Sequence, residues 1–130
     1  MTATDPRPNP YELLGGDAAV RQIVNRFYDL METEPEAAAL RALHAADLGP
    51  MRERLSDWLT GWLGGPAVYV ARHGPVCIAS AHAPFVIDAA MRDQWLVCMN
   101  RALEESNAPA QAKDLLRAPL ARMAEFLRNH

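Results

Sequence analysis

The residues in this chain that could do chemistry are few, and most are imidazole or polar-tipped aromatic groups. Four histidines are present, and because His130 is terminal the candidates for metal ligation or proton transfer are His44, His73 and His82. No HExxH, paired His and Cys spacing, glycine-rich phosphate loop or GxSxG elbow occurs, so hydrolytic and nucleotide chemistry lose their usual supports. Tyr28, His44, Trp58, Trp62 and Trp95 instead sit within apolar stretches. A buried phenol or indole N–H without a partner costs roughly 1–3 kcal/mol, so each is either satisfied by a nearby carbonyl or aimed at a ligand. His82 lies in Ala79-Ser80-Ala81-His82-Ala83-Pro84-Phe85, where small neighbours would let a flat cofactor approach the ring and Pro84 keeps Ala83 out of a helix interior. Spacing alone leaves two readings open for all of these residues, core packing and ligand site. His73, beside Gly74-Pro75, reads as solvent-exposed.

Helices must position these groups. After Gly15-Gly16, Asp17 is a good N-cap, and Val20, Ile23, Val24, Phe27, Tyr28 and Met31 then recur on one helical face, which puts Tyr28 on a buried stripe. Thr33-Glu34-Pro35-Glu36 opens a short helix running to about Leu43. A third helix begins near Asp47, carries Met51, Leu55, Trp58, Leu59 and Trp62, and stops at Gly64-Gly65-Pro66. Residues 67–87 hold no sustained period and read as a functional loop, with Ala67 to Val70 and Val76 to Ala79 as short β-like fragments. Asp88 caps a fourth helix bearing Met91, Trp95, Cys98, Met99 and Ala102 and ending near Asn107. Pro109 opens a fifth, with Leu116, Leu120, Met123 and Leu127 as its stripe. Pro119 inside it predicts a kink or break near Arg117, with two separate helices as the alternative.

The 130 residues suit one domain, expected over 11–130 behind an extended arm at 1–10 whose prolines alternate. A hydrophobic fraction of 50% without any apolar run near 20 residues predicts a soluble protein. The net charge of -3 is scattered, which argues against nucleic acid and membrane as partners. Cys77 and Cys98 follow no CxxC pattern, so two free thiols and a cytoplasmic location are expected. The fold class is all-α.

Five segments together carry a family likeness: Tyr11-Glu12-Leu13-Leu14-Gly15-Gly16, Phe27-Tyr28-Asp29-Leu30-Met31, Leu59-Thr60-Gly61-Trp62-Leu63-Gly64-Gly65-Pro66, His82 through Pro84-Phe85, and Asp93-Gln94-Trp95-Leu96-Val97-Cys98-Met99. From about Tyr11 to Leu127 the chain resembles the group II truncated haemoglobins. The resemblance implies a truncated globin fold, a two-over-two helical sandwich around one non-covalently held haem b and its iron. It implies His82 as the iron's protein ligand, and Tyr28 and Trp95 as hydrogen-bond donors to a distal ligand, with His44 facing the same pocket as a third donor or as a group that approaches the iron itself. Met51 and Leu55 take the distal-helix positions, and Ile78 and Phe85 join the walls. Where the family commonly has an arginine before the proximal histidine, to pair with a haem propionate, this chain has Ala81; Tyr69 and Arg72 are the candidates to replace it.

The function so implied is reversible binding of dioxygen, nitric oxide or carbon monoxide, as in an oxygen carrier or store. The alternative is a redox enzyme on the same haem, a nitric-oxide dioxygenase or peroxidase-like catalyst served by a reductase. A homodimer would form through the last two helices.

Overall fold

A computed structural model describes residues 8–130, which contain eight α-helices and no strand. In chain order these are α1 (Pro10–Leu14), α2 (Asp17–Thr33), α3 (Ala38–Ala42, preceded by a 3-10 turn at Pro35–Ala37), α4 (Gly49–Trp62), α5 (Val68–His73), α6 (Ile78–His82), α7 (Ala89–Glu105) and α8 (Ala110–Leu127). The long helices form two pairs, α2 with α4 and α7 with α8, and α2 lies chiefly against α7. This is the two-over-two arrangement. None of the described helices is long and apolar enough to cross a membrane.

The stripe on α2 explains its central place. Val20, Ile23, Val24, Phe27, Tyr28, Leu30 and Met31 are all buried, and fully burying an aliphatic or aromatic side chain contributes about 1.5–3 kcal/mol. On α8, Leu116, Leu120 and Met123 supply the facing stripe.

Several boundaries differ from the sequence expectation. Asn9 and Pro10, assigned to the extended arm, begin α1: the Asn9 side chain accepts the Glu12 N–H at 2.9 Å, and its amide donates to the Gly64 carbonyl at 2.9 Å. Residues 1–7 of that arm lie outside the described part of the chain. Asp17 is the first helical residue rather than the cap, which is Gly16, and its carboxylate pairs with Arg21 one turn on. The expected loop at 67–87 contains two short helices, and its β-like fragments are not strands. Valine runs of this length are too short to decide their own conformation, and no neighbouring strand offers a ladder.

α8 runs unbroken through Pro119 instead of dividing near Arg117. The donor that Pro119 lacks would have bonded the carbonyl of Leu115, a residue 50% exposed, so water can take its place. Asp88 caps α7 as expected, accepting the Met91 N–H at 2.9 Å.

The corner after α4 holds α1 in place. Tyr11 N–H donates to the Leu63 carbonyl at 3.1 Å, and a Cβ on Gly65 would lie 2.8 Å from the Tyr11 ring and 2.9 Å from the Thr60 carbonyl oxygen. Gly65→Ala is therefore expected to destabilise the fold by about 1–3 kcal/mol, read as a lower urea midpoint with an unchanged slope.

Candidate functional site

A cavity of about 500 Å³ receives side chains from every helix from α2 to α8. That is the size range of small-molecule and cofactor sites. Tyr28, His44, Met51, Leu55, Tyr69, Ile78, His82, Phe85 and Trp95, distributed over five helices and the turns between them, line it together. Among the residues singled out from sequence, Arg72 is not on this lining.

The two histidines have matching local geometry. His82 Nδ1 lies 2.6 Å from the Ile78 carbonyl and His44 Nδ1 lies 2.9 Å from the Leu40 carbonyl, each one turn back along the chain. A carbonyl can only accept, so in each ring Nδ1 bears the proton and Nε2 keeps its lone pair. His82 thus offers a ligating nitrogen whose partner nitrogen is already engaged, the arrangement that orients metal-bound imidazoles. For His44 the same geometry disfavours the donor role expected from sequence and is compatible with the other, a ring that approaches the iron. Its neutral ring presents an acceptor, and it becomes a donor at Nε2 only on protonation.

Burial pushes His44 below the ordinary histidine pKa, and the nearby Arg41 and His82 push the same way, against the Leu40 carbonyl that favours its proton.

Tyr28 is held edge-on to Phe27, with ring centroids 4.9 Å apart, and faces the His44 ring at 6.0 Å. The Arg52 guanidinium lies 5.7 Å over its ring, fixed by the Asn25 carbonyl and the Asp29 carboxylate at 2.8 Å each. Burial, partly opposed by Arg52, pushes the phenol up to about 12, so it remains a proton donor throughout the physiological range. The one sealed, unpartnered side-chain polar atom among the described residues is Asn100 Oδ1, so the Tyr28 hydroxyl, which has no partner among the described residues, opens into the cavity it lines. Trp95 packs edge-on against Phe27 at 5.5 Å. One residue earlier, Gln94 accepts the Leu40 N–H at 3.1 Å and so ties the His44 corner to α7.

Comparison with known proteins decides what kind of cavity this is. A family description, bacterial-like globin, matches residues 9–129. The chain belongs to that family. This globin superposes on the group II 2-on-2 haemoglobin of Agrobacterium tumefaciens with a TM-score of 0.91 and 42% identity, covering 98% of each chain. It superposes on the truncated oxygen-avid haemoglobin of Bacillus subtilis at 0.85 with 29% identity, covering 94% of this chain and 100% of that one. The curated group 2 truncated haemoglobin YjbI of Bacillus subtilis (strain 168) is 29% identical over 120 residues, 92% of this chain and 88% of that protein. The group is thereby a truncated haemoglobin, and haem with its iron is the cofactor of these globins.

The residues present fit that cofactor. The walls are mainly aliphatic and aromatic, the His82 imidazole has its Nδ1 proton tied back and its Nε2 available, and cations are on the lining. Those cations are not the expected ones. Arg72 donates to Asp57 Oδ1 at 3.0 Å, whereas Arg54 lines the cavity and forms no ion pair among the described residues. Arg92 also lines it but is bound to Glu125 and Asp93. Arg54 was legible in principle, since it stands three residues after Met51 and so on the same helical side. Nothing local marks Arg72 as diverted, because Asp57 lies fifteen residues away in sequence.

The lowered pKa of His44 has a definite sign in stability. Between that value and about 6.5 the unfolded chain binds the proton and the folded one does not, so this contribution is complete above about pH 6.5 and is lost as pH falls. Urea midpoints of the haem-free protein are expected to drop from about pH 7 to about pH 5, and to drop less in His44→Gln; equal slopes would assign the loss to other groups.

Proposed function

We propose that this globin holds haem b in the cavity through Nε2 of His82 and takes up dioxygen and other diatomic ligands on the side of Tyr28 and Trp95. The observation that carries this is the 2.6 Å contact of His82 Nδ1 with the Ile78 carbonyl in a ring that lines the cavity. A hydrogen-bonded Nδ1 fixes the tautomer and makes Nε2 a better donor to iron. The haem iron supplies the reversible binding point for the gas. The protein supplies everything that tunes it.

Tyr28 and Trp95 are two donors without partners among the described residues, and hydrogen bonds of this kind contribute about 1 kcal/mol each, more when the acceptor carries negative charge. Slow release of dioxygen follows, in keeping with the oxygen-avid Bacillus subtilis relative. Met51 and Leu55 crowd the same space from α4 and limit its size. Arg54, with the Tyr69 hydroxyl, takes the part at the propionates that sequence alone gave to Arg72. The redox alternative, nitric-oxide dioxygenation or peroxidase-like turnover with a reductase, draws on one further observation: neutral His44 can accept a proton from a protonated ligand through Nε2.

His82→Ala is expected to lose haem under conditions where the wild-type protein keeps its Soret band, and a normally ligated spectrum in that variant would refute the assignment. Tyr28→Phe is expected to raise the dioxygen off-rate about tenfold, equivalent to ~1.4 kcal/mol. Stopped-flow displacement by carbon monoxide measures it, and an unchanged rate would remove Tyr28 from the donor set.

A further inference from the structure

One wall of the cavity is only lightly packed. α5 and α6 contain no buried residue, yet α5 places Tyr69 and α6 places Ile78 and His82 on the lining. α5 is followed by Gly74 at φ 80, a left-handed position with open space around it.

Besides its packing along α4, α5 is tied to the body by one buried carboxylate. Asp57 on α4 is 2% exposed, its Oδ1 accepts from Arg72 Nη1 at 3.0 Å, and its Oδ2 lies 3.2 Å from His73 Nε2. Arg21 of α2 completes the set, with Nη2 at 3.6 Å from Oδ1. A carboxylate at this depth is tolerable only with its hydrogen-bonding and cationic partners in place, and two of the three, Arg72 and His73, come from the last turn of α5. The His73 ring in turn lies against Tyr69, with centroids 4.8 Å apart.

We propose that Asp57 is the latch of this wall: by holding Arg72 and His73 it positions α5 and the Tyr69 ring, and so governs how fast haem enters and leaves. The proposal rests on the haem reading of the cavity and concerns a positioning residue, since Asp57 is not itself on the lining. It also accounts for Arg72 being absent from the cavity rim, because the buried carboxylate is the stronger claimant for the guanidinium.

The test uses two variants, Asp57→Asn and the double variant Arg72→Gln with His73→Gln, whose changes lie on the outer side of the ion cluster. Haem transfer from each purified holoprotein to excess apomyoglobin is followed, together with amide hydrogen exchange of the holo and haem-free forms. Both variants are expected to lose haem at least tenfold faster and to exchange the amides of residues 69–73 at least tenfold faster, with α2 and α7 as protected as in the wild type. Arg72→Lys with His73 retained should restore most of the haem retention. Unchanged exchange at 69–73 would overturn the latch, and faster exchange there with unchanged haem loss would overturn its control of haem. A wild-type protein that takes up no haem would refute the haem reading instead, while exchange in the haem-free form would still decide whether Asp57 fastens α5.

Discussion

Much of the site depends on the hydrogen bond from a histidine Nδ1 to the carbonyl one turn earlier. At His82 it joins a ring to the five-residue helix that carries it, so the direction of Nε2 is set by backbone geometry rather than by side-chain packing. The same bond recurs at His44, where it assigns the opposite polarity from the one a distal donor would have. Two neutral imidazoles in one cavity therefore both present lone pairs, while the Tyr28 phenol and the Trp95 indole on the same lining are groups that can donate. Ligand chemistry in this pocket is divided between those two types of group.

The helices around the cavity are held in two different ways. α2, α4, α7 and α8 are fixed by buried apolar stripes, with Val24, Phe27, Met99 and Leu103 almost wholly excluded from solvent. Such packing is close to crystalline in density and yields little. α5 and α6 have no such stripe: α5 lies along α4 and is tied to Asp57 through Arg72 and His73, and α6 rests lightly on α8. Elements with few buried contacts are those that open at low free-energy cost, so the wall bearing His82 is the one suited to open.

Electrostatics then allocates the arginines. Arg21 and Arg72 go to Asp57, Arg52 to Asp29 and the Tyr28 ring, Arg92 to Glu125 and Asp93, which leaves Arg54 at the cavity without a carboxylate among the described residues. Exposed pairs of this kind contribute little to stability. Their weight lies in deciding which cation an anionic group of a ligand will meet. The buried Asp57 is different in kind, because water cannot replace its partners at that depth.

From the sequence alone, the periodic stripes of α2, α4, α7 and α8, the stops at Gly64-Gly65-Pro66, the Asp88 cap and the shared orientation of Tyr28, His44, His82 and Trp95 toward one ligand site were legible. Those features are local, or follow from family likeness, and helical periodicity records which face is apolar without reference to anything distant. The helix at Pro10–Leu14, the helicity of 67–87, the continuity of α8 through Pro119 and the exchange of Arg72 for Arg54 at the cavity were decided by tertiary structure. In each case the deciding partner is remote in the chain or is solvent: the Gly64 carbonyl for Asn9, water for the Leu115 carbonyl, Asp57 for Arg72. A residue's type and spacing determine what it can bond, but only the folded distances determine which of several competing partners it does bond.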